Sequence, residues 1–214
     1  MTFSLPGAAV TSLPHFLWTW ACNNRWANHR LLQACGQLGQ DAFTARRTGF
    51  FPSIAATLNH IVTVDWYYVD AMERSLRGQP PNEAWRAYFD PEQPFSTCPA
   101  LAAAQQAVDE RLIALCRSLD EASVTSTVNV PREGRLCPER MHRLLAHLFE
   151  HQIHHRGQVH AMLAGTSVAP PQLDEFFCES DAEVRKGDFG VLGWSEEMVW
   201  KEGTVPGTDA VKDR

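Results

Sequence analysis

The 214-residue sequence has no apolar run approaching the roughly 20 residues that a helix needs to cross a bilayer. Its opening, Met1 to Pro6, carries neither a positive n-region nor a continuous apolar h-region, so no secretory leader is expected. Basic clusters are also missing. Nineteen Lys and Arg stand against 25 Asp and Glu, for a net charge of −6, and no basic run is longer than a pair such as Arg46-Arg47. That balance argues against a general nucleic-acid binder, which needs clustered cations for phosphate contact. The six cysteines (Cys22, Cys35, Cys98, Cys116, Cys137, Cys178) form no C-x-x-C pair. Scattered in this way, they read as reduced thiols of a cytoplasmic protein rather than a disulfide framework. There is no phosphate loop, no Ser-His-Asp order, no internal repeat and no low-complexity tract. What remains is an ordinary globular composition, 44% hydrophobic and 21% charged.

The elements can be placed from punctuation and period. Ser12 and Pro14 open a helix from His15 to about Leu38, with Phe16, Trp20, Leu31 and Leu38 near a helical spacing and Gly39 as a stop. Ser53 caps a second helix, Ile54 to about Leu76, which Gly78 and Pro80-Pro81 end. Residues 78–98 hold four prolines and read as a surface loop with a turn of helix around 83–88. Thr97 before Pro99 starts a third helix running to about Leu119. Alternating Val124, Ser126, Val128 and Val130, followed by Pro131 to Gly134, predict a short hairpin. Pro138 is expected to open the fourth helix, which Gly165 closes. The reading is an all-α fold: an antiparallel four-helix bundle with a short β-hairpin before the fourth helix, covering residues 1–175. Residues 176–214 read as an extended C-terminal tail packing partly on the bundle, its last ten or so residues loose. Trp18, Trp20, Trp26, Trp66, Tyr67 and Tyr68 are expected in the core or an interface, and Trp194 and Trp200 are candidates for docking the tail.

Histidine is the unusual presence. Six of nine (His142, His147, His151, His154, His155, His160) fall between positions 142 and 160. At about 100° per residue, with His147 at zero, His151 lies near 40° and His155 near 80°, flanking the apolar Leu144 and Met162 near 60°. His142 and His160 point the opposite way, near 220°, and His154 sits on the shoulder. A lone core-facing histidine is usually just hydrogen-bonded. Two at i, i+4 on an apolar stripe leave paired lone pairs that a divalent metal satisfies together. A third ligand must come from another helix. His60, mid-way along the second helix beside Thr57, Val64, Tyr67 and Ala71, is the best placed, while His15 and His29 read as surface residues.

Two short motifs compete with this reading. His147-Leu-Phe-Glu150-His151 spells H-x-x-E-H, an inverted zinc-peptidase signature, but the chain breaks at Gly165 before any acidic partner helix. Glu139-Arg-Met-His142 matches one E-x-x-H of a di-iron bundle, whose second copy and further glutamates are absent.

The chain resembles the DinB family (DinB/YfiT-like metalloenzymes). The resemblance rests on Asn24-Arg-Trp-Ala-Asn28 with Arg30-Leu-Leu, on Leu58-Asn-His60 with Asp65-Trp66, and most specifically on the run from His147 through His151 and His155 to Arg156-Gly-Gln158. It covers residues 15 to about 173. It implies an up-down-down-up four-helix bundle, a homodimer, and a mononuclear divalent metal (zinc, nickel, iron or manganese) on His60, His151 and His155. The family includes thiol-dependent transferases and isomerases, so a low-molecular-weight thiol is a candidate cosubstrate; a metal there that activates water or thiol would serve a hydrolase or a thiol S-transferase acting on a small molecule. The alternative is a non-catalytic metal-stabilised bundle with a stress-response or binding role. Asp65, His147 and Glu150 are the candidates for orienting ligands or moving protons. Glu150 stands where the family often has asparagine. No nucleic acid and no membrane are expected as partners.

Overall fold

The computed structural model describes residues 11–202. Seven α-helices and one two-stranded antiparallel sheet make it mostly helical among those residues. The elements are α1 (Leu13–Cys35), α2 (Gln40–Thr44), α3 (Ile54–Leu76), α4 (Cys98–Arg117), β1 (Thr127–Arg132), β2 (Arg135–Arg140), α5 (Met141–Leu163), α6 (Ala182–Leu192) and α7 (Glu196–Trp200). No helix is long and apolar enough to cross a membrane among the described residues.

Serine caps set α1 and α3 close to where the sequence predicts them. The Ser12 hydroxyl accepts from His15 N–H at the start of α1, and the Ser53 hydroxyl accepts from Ala56 N–H at the start of α3. Pro14 and Pro99 occupy first turns, where a missing N–H costs nothing. Gly36 ends α1 three residues earlier than the predicted stop at Gly39, which instead leads into the five-residue α2. The loop 78–98 carries one short 3-10 turn, Trp85–Phe89, which packs on α3.

The four long helices share their interior. α1 packs on α4 and α5, and α3 packs on the same two. α4 shows how the pattern works: Leu101, Gln105, Val108, Leu112 and Leu115, spaced four and three apart, are its buried stripe. Two apolar clusters result, one around Trp26, Tyr67, Leu112 and Leu145 and one around Leu31, Ile54, Leu101 and Val159. Trp18, Trp26, Tyr67 and Tyr68 are core residues, and Trp20 and Trp66 are partly buried against the core.

Two expectations are corrected. Pro138 does not open the fourth long helix. It lies in β2 opposite Asn129, and α5 begins at Met141. A two-stranded sheet is all edge, where proline is tolerated. The turn is Glu133-Gly134, and Gly134 takes φ 66°, a conformation glycine reaches without strain. The segment after 175 is not extended. It forms α6 and α7, and Phe176, fully buried, joins the main core with Phe189 and Val199. Arg185 and Phe189 are the only buried positions of α6, too few to print a period, and Gly187 and Gly190 lower its apparent propensity. Trp194 and Trp200 do pack against the body. The residues expected to be loose at the very end lie largely outside those described.

Arg30 holds this C-terminal segment to α1. Its Nε donates to Asp188 at 2.6 Å and its Nη1 to Glu175 at 2.7 Å, beside a Trp26 indole N–H donating to Asp188.

Candidate metal centre

His60 lies two turns into α3, and His151 and His155 lie one turn apart on α5; because α3 packs on α5, the three rings meet. One ligating atom from each lies within 4.8 Å of the others. The Nε2 atoms of His60 and His151 are 3.0 Å apart. Ring centroids are 5.0 Å apart for His60 and His151, 4.7 Å for His60 and His155, and 4.4 Å for His151 and His155. His155 is buried, and the other two are half-buried, so the cluster sits just beneath the surface. The Phe51 ring covers it, 4.4 Å from His60 and 5.5 Å from His155.

Burial, reinforced by the neighbouring imidazoles, pushes the pKa of His60 down to about 4 and that of His151 down to about 3. Burial lowers His155 as well. The cluster is therefore neutral at physiological pH, with lone pairs available. Gln158 settles which nitrogen of His155 is free. Its Oε1 lies 2.9 Å from His155 Nδ1, so Nδ1–H donates and Nε2 keeps its lone pair. The Gln158 amide nitrogen reaches His154 Nε2 at 3.1 Å. His151 has no such support: its Nδ1 is buried without a partner among the described residues. Two facing Nε2 atoms and an unmet Nδ1 are a costly arrangement for bare imidazoles. A divalent ion accepting the converging lone pairs relieves part of that cost, so the donor set fits a metal.

The other candidates fall in different places. His147 is exposed, one turn before His151, with Nε2 3.3 Å from the Tyr68 hydroxyl. Arg132 Nη2 donates to that hydroxyl at 2.8 Å, leaving the Tyr68 proton to point at His147. Glu150 is exposed and lines a groove with Phe16, Trp20 and Phe149, away from the three histidines. Asp65 is buried and touches no histidine; its Oδ2 accepts from Gln105 at 2.7 Å and from Gln152. His15 and His29 are half-buried rather than surface residues, and neither joins the cluster.

Asp65 belongs to a polar network that the sequence reading did not isolate. Arg156 Nη1 donates to Asn24, to Asn28 at 3.1 Å and to Gln152 at 3.1 Å. Asp109 accepts from Asn24, Asn28 and Gln105 at 3.0 to 3.1 Å. All seven side chains are buried. A signal was available: Asn24/Asn28, Gln105/Asp109 and Gln152/Arg156 are each i, i+4 pairs, so each is one polar patch on one helix face. The rows 151/155 and 152/156 run side by side on α5, the first facing Phe51 and His60, the second facing this network. Phe51 carried no signal, because it lies in the irregular stretch before α3.

The fold and this cluster define a predominantly helical protein with three histidines gathered from two packed helices. The comparisons with known proteins carry the classification further. The DinB family profile matches residues 15–186, and the chain belongs to the DinB family. The match extends past 173 into α6. The crystal structure of a DinB-like protein from Bacillus cereus ATCC 10987 superposes with a TM-score of 0.52 at 15% identity, over 69% of this chain and 90% of that one, a likeness of fold. Among curated proteins there is no significant match.

Proposed function

We propose that the protein is a four-helix-bundle metalloenzyme, of the metal-dependent hydrolase or thiol S-transferase type, acting on a small molecule. The observation that carries this reading is the convergence of His60, His151 and His155, held neutral by burial, on one point beneath Phe51. These three would hold a divalent cation; imidazole suits zinc, nickel, iron or manganese. A bound ion supplies Lewis acidity that favours ionisation of a water or thiol reaching it.

The rest of the chemistry falls to the chain. Gln158 fixes the His155 tautomer, the outer support that metal-binding histidines commonly have. Phe51 excludes water from one side, while half-exposed His60 and His151 leave the other open to a ligand. His147, one turn before His151 on α5 with its Nε2 accepting from the Tyr68 hydroxyl, is the candidate for moving protons through that pair. Asp65 and Glu150 do not share this role: Asp65 is enclosed with Gln105 and Gln152 in the interior network, and Glu150 lines the groove with Phe16 and Trp20. Six free thiols, four of them buried, fit a cytoplasmic setting, and family membership supports a homodimer. Of the C-terminal extension, residues 176–202 would form a brace on the bundle rather than part of the centre.

Metal content of the purified protein, measured by mass spectrometry for wild type and His151→Ala, tests the premise. About one ion per chain in the wild type and a loss of roughly ten-fold or more in affinity for the variant are expected. Equal metal content in both would sink the proposal. A variant with a stable fold, metal bound, and no thiol or water able to reach the ion would instead favour the non-catalytic, metal-stabilised role.

A further inference from the structure

On the face of α5 turned away from the three histidines, a cleft of about 450 Å³ opens between α1, α5 and the segment 172–177. That volume lies within the roughly 300–1,000 Å³ of small-molecule sites. Trp20, Leu173 and Phe177 form apolar walls. Gly157, inside α5, completes them, and a Cβ added there would meet nothing within 4 Å. Glycine weakens a helix interior relative to alanine. Here the missing side chain is part of the empty space.

The floor is polar and built. Asn23 and Arg156 line it, although only 7% and 4% of their surfaces are exposed. Arg156 uses Nη1 alone on the interior network. Among the described residues its Nε and Nη2 have no hydrogen-bond partner, and Arg156 lines the cleft, so these are the donors it has left for a ligand there. The Asn23 amide is in the same condition. Nε and Nη2 together are the edge of a guanidinium that grips a carboxylate at two points. The acidic side chain among the lining residues, Asp174, is exposed at the rim, where water screens it far more than it screens a buried guanidinium.

We infer that this cleft is a second ligand site, for a small carboxylate with an aromatic or branched apolar body. The carboxylate lies on Nε and Nη2 of Arg156 with the Asn23 amide donating to it, and the body lies against Trp20, Leu173 and Phe177. The site does not depend on the metal reading.

Calorimetric titration with benzoate, benzyl alcohol and benzylammonium tests it. Benzoate is expected to bind in the millimolar range or better, the reach of a fragment-sized ligand. The alcohol should bind about ten-fold or more weakly, and the ammonium more weakly still, because a hydrogen bond to a charged group is lost or reversed. Gly157→Leu fills the cleft while keeping the arginine at 156 and should weaken benzoate binding about ten-fold or more while leaving thermal stability unchanged or raised. Arg156→Lys should weaken it too, but the glycine variant decides the matter if that chain does not fold. Benzoate binding that survives His151→Ala places the ligand away from the histidines, as the inference requires. No benzoate binding, equal affinity for alcohol and acid, tighter binding of the ammonium, indifference to Gly157→Leu, or loss in His151→Ala would each overturn it.

Discussion

Replacing Asp65 by asparagine should flatten the pH dependence of stability between about pH 7 and 8. Burial, and then the nearby Asp109, push the Asp65 carboxyl up to about 8, against the stabilising hydrogen bonds from Gln105 and Gln152. In the unfolded chain the same group ionises near 3.8. The native state thus holds a proton that the unfolded state has released, and this contribution to stability is complete below the unfolded value and lost as pH rises through about 8. Asp109, raised to about 6, acts in the same direction at lower pH. His60 and His151 act in the opposite direction, because burial lowers them to about 4 and 3, and the unfolded chain protonates them first as pH falls. Above pH 7 the unfolded histidines are still releasing protons and the unfolded cysteines begin to, but both proteins share those contributions, so the difference between them isolates Asp65. One proton gives a slope of at most about 1.4 kcal/mol per pH unit, and its partial release makes the expected loss about 1 kcal/mol across this interval. Asp65→Asn should keep both glutamine contacts through its amide oxygen and place its nitrogen where Oδ1 already lacks a partner. Urea denaturation followed by circular dichroism at the two pH values, on both proteins with a chelator present, gives the slopes. Parallel loss in wild type and variant would refute the assignment of that proton to Asp65.

Gln158→Leu should leave the fold intact and weaken metal binding roughly 10- to 100-fold, since His155 loses the partner that fixes its free nitrogen; a competition titration with a chromogenic chelator measures it, and unchanged affinity would count against the tautomer argument. Phe176→Ala should cost roughly 3–5 kcal/mol, a drop of order 10 °C in Tm, because the ring is fully buried against Trp26, Phe189 and Trp200. A shift of only ~1–2 °C in differential scanning calorimetry would mean that the C-terminal segment adds nothing to the core.

The long helices were legible because their caps and stops are local. Ser53 before Ile54 and Thr97 before Pro99 mark starts that depend on nothing distant, and α3 begins and ends where the sequence places it. The pairing of His151 with His155 follows from one helix's periodicity alone. His60 was the best-placed third ligand from its position on the inward stripe of the second helix, and the family resemblance points to the same residue. By contrast, Pro138 is a helix-start signal that the opposite strand overrode, and α6 has too few buried positions to show a period before it is docked.

The sequence by itself determined which residues share a helix face: the 151/155 row, the i, i+4 polar pairs and the buried stripe of α4. These follow from the fixed geometry of a helix. Only the tertiary structure decided which faces meet. It set Phe51 over His60, turned Glu150 away, buried Asp65 with Arg156 instead of beside the histidines, and left Arg156 with two donors on an open cleft. Those outcomes depend on contacts between residues far apart in the chain, whose angles and distances no local spacing encodes.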